Sequence, residues 1–162
     1  MEVRGSVPPE PVPTAAPANP RPYEGAWRFT APALDSSVPQ ARHAVRDLIT
    51  DREVPVDEVL MHGLLLIVSE LVTNAVRHAA LLSPEIVVEV AVGTDWVRVA
   101  VEDNHPYRPK ALQADSTDTG GRGLLLVKAI TAEAGGMCDV EHIASGGKVV
   151  WAALPLPASA TP

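Results

Sequence analysis

Residues Val68–Ala80 read VSELVTNAVRHAA. Val68, Leu71, Val72, Ala75, Val76 and Ala79 recur at helical spacing, so the stretch is an amphipathic helix. Its remaining face carries Glu70, Asn74, Arg77 and His78. At 100° per residue all four fall in one sector: Asn74 lies about 40° from Glu70, Arg77 about 20° to the other side, and His78 about 40° beyond Asn74. A helix lying on a sheet ordinarily turns such a sector to solvent. The same residues also suit chemistry on a metal-bound phosphate. A glutamate can take a proton from a water or hydroxyl, and an asparagine one turn away offers a neutral oxygen to Mg²⁺, which needs few protein ligands because it keeps water and phosphate oxygens in its shell.

Reading outward from this helix gives the rest of the fold. Upstream the apolar period extends back to near Pro55, with Asp57 and Glu58 placed to favour the helix dipole in the first turn. Before that, SSVPQARHAVRDLIT has a serine cap and apolar residues at helical spacing, and AWRFTA is a plausible first strand. Downstream, EIVVEVAVG and DWVRVAVED form a hairpin around a glycine-containing turn. Residues 105–120 are polar and proline-containing and read as a loop. GGRGLLLVKAITAEAGG is then a helix bounded by glycines, and MCDVEHI and GKVVWAALPL, joined by ASGG, form a second hairpin. The order strand, helix, helix, strand, strand, loop, helix, strand, strand describes an α+β two-layer sandwich, a mixed or antiparallel sheet covered on one face by three helices.

Composition narrows the function. The chain has 162 residues and a net charge of -7, enough for one domain and the wrong sign for a phosphate-backbone surface, so nucleic acid is not an expected partner. Seven of the 16 prolines lie in residues 1–22, which read as a disordered tail; residues 23–156 are the folded domain and 157–162 a short second tail. The one cysteine, Cys138, makes neither an internal disulfide nor a multi-cysteine metal site, and fits a reducing cytoplasmic setting. The five histidines lack metal-ligand spacing. Apolar runs such as LLLIV and LLLV are too short to cross a bilayer.

Two further elements accompany the polar sector. In VEDN, Asp103 ends an otherwise apolar strand, where a carboxylate is a poor strand former and costly if unpaired. It is either a polar strand end or an acceptor for the exocyclic amine of adenine. In TGGRGLL, glycines let backbone N–H groups approach an anion at a helix start, although helix capping explains them equally well.

In this order, SELVTNAVRH resembles the N box, VEDN the start of the first glycine box, and GGRGLLLV the second glycine box of the Bergerat ATP-binding fold, shared by gyrase, histidine kinases, a heat-shock chaperone family and mismatch-repair ATPases. The match covers about residues 23–156 and is nearest to the stand-alone anti-sigma-factor serine/threonine kinases. The resemblance implies ATP and Mg²⁺ as ligands, Glu70 as catalytic base, Asn74 as the Mg²⁺ ligand and Asp103 as the adenine contact. Gly121, Arg122, Gly123 and Leu124 would form the phosphate-binding helix start, and Arg122 and Lys128 could reach phosphate oxygens. Arg77 and His78 would stand on the rim. It further implies phosphorylation of a serine or threonine on an anti-anti-sigma partner of the STAS type, release of a sigma factor, a cytoplasmic location and often a homodimer.

Three departures from the family pattern stand out. Asp103 is followed by NHPYRP instead of the glycines of D-x-G-x-G, the lid over residues 105–120 is short and proline-stiffened, and Val149 stands where the family often places a threonine that supports the adenine carboxylate. Loss of that hydroxyl implies binding weaker by ~1 kcal/mol. A binding module that senses nucleotide or sequesters a partner without phosphoryl transfer is the competing expectation. A detached histidine-kinase catalytic domain is a third, disfavoured by the lack of a coiled-coil segment with a phosphoacceptor histidine.

Overall fold

The computed structural model describes residues 21–79, 84–103, 122–144 and 146–157. The elements are β1 (Gly25–Pro32), α1 (Ser37–Asp51), α2 (Glu58–Ala79), β2 (Glu85–Val92), β3 (Trp96–Asp103), α3 (Arg122–Ala134), β4 (Met137–His142) and β5 (Lys148–Pro155). The five strands are ordered β1-β2-β3-β5-β4, and every neighbouring pair is antiparallel. With α1, α2 and α3 packed on one face, this is the α+β sandwich expected from the order of elements, and the sheet proves wholly antiparallel. The proposed tails and the loop over residues 105–120 lie largely or wholly outside the described residues.

Alternation along the strands sets which face is buried. Ile86, Val88 and Val90 of β2, Val97, Val99 and Val101 of β3, and Val150, Ala152 and Leu154 of β5 all point into the main core. They meet Leu64, Ile67, Val68 and Leu71 of α2, each at most 1% exposed. α2 is therefore the central helix, contacting α1, α3 and the sheet. Its length and mean hydropathy of 1.8 over Glu58–His78 would suffice to cross a bilayer, which reading uninterrupted apolar runs overlooks. Packing on both sides accounts for that composition.

The helix ends depart from the sequence reading in two places. Ser36 makes no side-chain cap; Ser37, buried, instead donates from Oγ to the Pro32 carbonyl at 2.6 Å, tying α1 to the end of β1. Pro55 and Asp57 precede α2, and Asp57 is its cap, its Oδ1 accepting from the Leu60 N–H at 2.7 Å, which satisfies one of the orphan donors of the first turn. α3 ends where expected: Gly135 has φ +79°, and the Gly136 N–H donates to Thr131 O at 2.7 Å, a left-handed glycine stop.

Candidate functional site

The polar sector of α2 is turned toward another helix. At Gly63, about 20° from Glu70 on the helical wheel, an added Cβ would lie 3.3 Å from Ile130 Cγ2 of α3. At Gly123, in the first turn of α3, an added Cβ would collide with Glu70 Oε1 and lie 3.2 Å from Glu70 Cδ. Gly123 is therefore glycine because the Glu70 carboxylate occupies the space a side chain would need. The second glycine stretch and the carboxylate of the N-box-like stretch, 53 positions apart in the chain, form one site.

Asn74 sits one turn further along. It is half-buried, and its Oδ1 is buried with no hydrogen-bond partner. An unsatisfied buried oxygen costs about 1–3 kcal/mol, and such groups are rare enough to call for an explanation. A cation or a donor bound beside Glu70 would satisfy it. An amide oxygen is a ligand type that Mg²⁺ accepts, so the donor set fits a hydrated cation carrying phosphate. No group of three or more His, Cys, Asp and Glu that could hold a metal occurs among the described residues; any cation at Asn74 would depend on oxygens from a ligand and water. Arg77 is exposed and His78 half-buried, at the end of α2.

The start of α3 adds donors. An α-helix leaves its first four N–H groups without intrahelical acceptors, and its dipole favours negative charge there. Among the described residues these groups are those of Arg122, Gly123 and Leu124, and Gly123 lies against the Glu70 carboxylate. Leu124 is 3% exposed and its side chain belongs to the core, so only its backbone is available. Gly121 lies outside the described residues, and of Arg122 only the backbone is described. Lys128 is exposed and about 140° around α3 from Gly123, so it does not share the sector that faces Glu70.

Asp103 ends β3 in phase with Val97, Val99 and Val101, and so faces the helix layer. Directly across the ladder is Lys148. Its Nζ donates to Asp103 Oδ1 at 3.2 Å and to Oδ2 at 3.0 Å, and the two side chains are 0% and 1% exposed. The sequence reading missed this pair and set Val149 against the carboxylate. The register corrects it: Val149 pairs with Glu102 and packs with Ala100, Trp151 and Ala153 on the opposite face of the sheet. A missing hydroxyl at Val149 thus bears on nothing near Asp103. A signal was present, since Lys148 is in phase with the inward-facing Val150, Ala152 and Leu154.

A groove of about 790 Å³ lies elsewhere. It is lined by Arg42 and Arg46 of α1 and His62, Leu65 and Ser69 of α2, a face of α2 roughly 100° from the Glu70 sector. None of the candidate site residues named from the sequence lines it.

A family model described as histidine kinase-like ATPase domain matches residues 31–154. A search of curated protein sequences gives no significant match. Among solved structures, the chain is similar to the RsbU and RsbW domains of Rv1364c from Mycobacterium tuberculosis, at 19% identity and a TM-score of 0.56 over 82% of this chain and 33% of that one. It is similar to full-length ShkA in complex with AMPPNP, at 21% identity and a TM-score of 0.51 over 78% and 31%. It is also similar to the catalytic domain of the histidine kinase ThkA in a nucleotide-free form, at 20% identity and a TM-score of 0.50 over 81% and 97%. The chain spans about a third of the length of the first two. At these identities the likeness is one of fold.

Proposed function

The chain belongs to the histidine kinase-like ATPase domain family, and from that premise we propose that it binds Mg-ATP between α2 and α3 and transfers the γ-phosphoryl group to a serine or threonine of a protein partner. The observation that carries this reading is the contact of Glu70 with Gly123 beside the unpartnered Asn74 Oδ1. It puts a proton acceptor, a neutral oxygen and a set of helix-start N–H groups in one place.

The proposed roles follow from chemistry. Asn74 Oδ1 would ligate Mg²⁺, and the N–H groups of Gly123 and Leu124 would donate to phosphate oxygens. Bound Mg²⁺ would supply charge neutralisation on the phosphates. Glu70 would accept the proton of the attacking hydroxyl as its oxygen bonds to phosphorus and the bond to the leaving ADP oxygen breaks. Asp103 would accept from the exocyclic amine of adenine. Most of the rate would come from positioning and electrostatics, as is general for phosphoryl transfer.

We assign the partner to the STAS-type anti-anti-sigma class, with a sigma factor as the regulated target, a cytoplasmic setting and a homodimer as the working assembly. The resemblance of the three motifs supports these assignments, and the RsbW domain named in a structural neighbour is in keeping with them. A second reading, a nucleotide-sensing or sequestering module without transfer, is favoured by the Lys148 ammonium on Asp103, which the motif pattern does not include.

Incubation with γ-labelled ATP and a STAS-type protein tests the choice. A kinase labels serine or threonine on the partner, and Glu70→Ala abolishes labelling while ATP still binds. A module that only binds gives no label from the wild type and holds its partner equally with either chain.

A further inference from the structure

The inner face of the sheet is Val, Ile, Leu and Ala almost throughout, yet at its end Asp103 and Lys148 form a fully buried ion pair. Such a pair is weak evidence for stability, because two apolar side chains of similar volume usually serve as well or better. Its form is more informative than its energy. One ammonium contacts both oxygens, at 3.0 and 3.2 Å, which fixes the carboxylate plane and balances its charge. A carboxylate has about four acceptor sites, so an ammonium bridging its oxygens does not exhaust it. The pair spans the last rung of β3 and β5, on the face of the sheet that α2 and α3 cover.

We propose that Lys148 is a positioning residue for base recognition: it holds Asp103 as a charge-balanced, fixed-plane acceptor for the exocyclic amine of a 6-aminopurine. This rests on the nucleotide-binding reading given above. Without the ammonium, the buried carboxylate loses both the contact that fixes its plane and its counter-charge. It would then no longer distinguish a base bearing an amine from one lacking it. Lys148 thus supports the carboxylate, the role the motif pattern gives to a hydroxyl, but with a full charge.

The test is calorimetric titration of Mg-ATP and of magnesium purine riboside triphosphate, which lacks the 6-amino group. The chains are the wild type, Asp103→Asn, Lys148→Met, Lys148→Gln and Lys148→Arg, each with a thermal melt. The wild type should prefer ATP by about 10- to 100-fold, the worth of one hydrogen bond to a charged group. The preference should shrink to within about 3-fold in Asp103→Asn, Lys148→Met and Lys148→Gln, and Lys148→Arg should restore it. Lys148→Gln, whose amide can still donate to the carboxylate, carries the test if Lys148→Met does not fold.

A folded Lys148→Met or Lys148→Gln that keeps the wild-type preference while melting earlier would overturn the proposal, as would unfolding of both neutral variants, since either result assigns the pair to stability alone. A wild type that binds both nucleotides equally would remove the Asp103 contact and the role of Lys148 with it, leaving nucleotide binding intact. Binding of neither nucleotide would refute the nucleotide reading itself.

Discussion

Gly123→Ala should separate stability from activity. The added Cβ meets Glu70 Oε1 and approaches Cδ at 3.2 Å and Cβ at 3.8 Å. The obstructing atom is the far end of a flexible side chain, so the carboxylate moves and the backbone does not. Pushing Glu70 off its rotamer costs about 0.5–1.5 kcal/mol, while replacing a helical glycine by alanine contributes up to about 1 kcal/mol in the other direction. The melting temperature should therefore stay within a few degrees of wild type. Turnover should not, because a catalytic group displaced by ~1 Å can lose about 100-fold in rate. The assay is phosphate or phosphoprotein production from saturating Mg-ATP, alongside a thermal melt, for the wild type, Gly123→Ala, Glu70→Ala and the double variant. If Gly123 acts through Glu70, the double variant is no slower than Glu70→Ala, since groups that act as a unit are non-additive. Wild-type turnover in Gly123→Ala, or a further large loss on top of Glu70→Ala, would refute the contact as the organiser of the site.

Other perturbations separate the same account from alternatives. Asn74→Leu removes an unsatisfied buried oxygen and should raise stability by about 1 kcal/mol while abolishing binding of Mg-nucleotide, measured by urea denaturation and calorimetry. Lys148→Met should cost about 3–5 kcal/mol by removing the ammonium that faces the buried Asp103 carboxylate, and Asp103→Asn/Lys148→Met should recover most of it. Gly136→Ala places a Cβ against the Ala153 carbonyl oxygen, with Ala153 C and Leu154 Cδ2 both at 3.1 Å; backbone cannot swing aside, so a loss of about 1–3 kcal/mol is expected in a melt. Burial pushes the Cys138 thiol up, partly opposed by the hydrogen bond from the Thr131 hydroxyl. As pH rises past the ordinary thiol value the unfolded chain gives up its proton first, so stability falls from there toward the raised value, and Cys138→Ala should remove that alkaline component from urea midpoints.

The parts legible from sequence were those where local pattern and tertiary demand agree. Period-2 strands, glycine stops and the long apolar run of α2 each point to one element, and their order fixes the sandwich. The polar sector of α2 was legible as a set of residues, but no periodicity says whether such a sector meets water or another helix. That depended on Gly123, whose missing side chain has meaning only once α3 lies against α2. Lys148 was missed for a related reason. The lysine reads as the polar first residue of the last strand, and only the β3–β5 register places it opposite Asp103 and moves Val149 to the far face. Helix starts went astray by up to about three residues, because Ser36 and Ser37 are both acceptable caps for α1 and Pro55 is an acceptable first residue for α2, and hydrogen-bond geometry selects among them.

The central claim is that the Glu70–Asn74 sector faces a nucleotide. Calorimetric titration of Mg-ATP into the wild type and Asn74→Leu tests it most directly. Saturable binding by the wild type that is lost in a folded Asn74→Leu is the result the account predicts. A well-folded wild type that takes up no nucleotide at millimolar concentration, or an Asn74→Leu chain that binds as well as wild type, would contradict it.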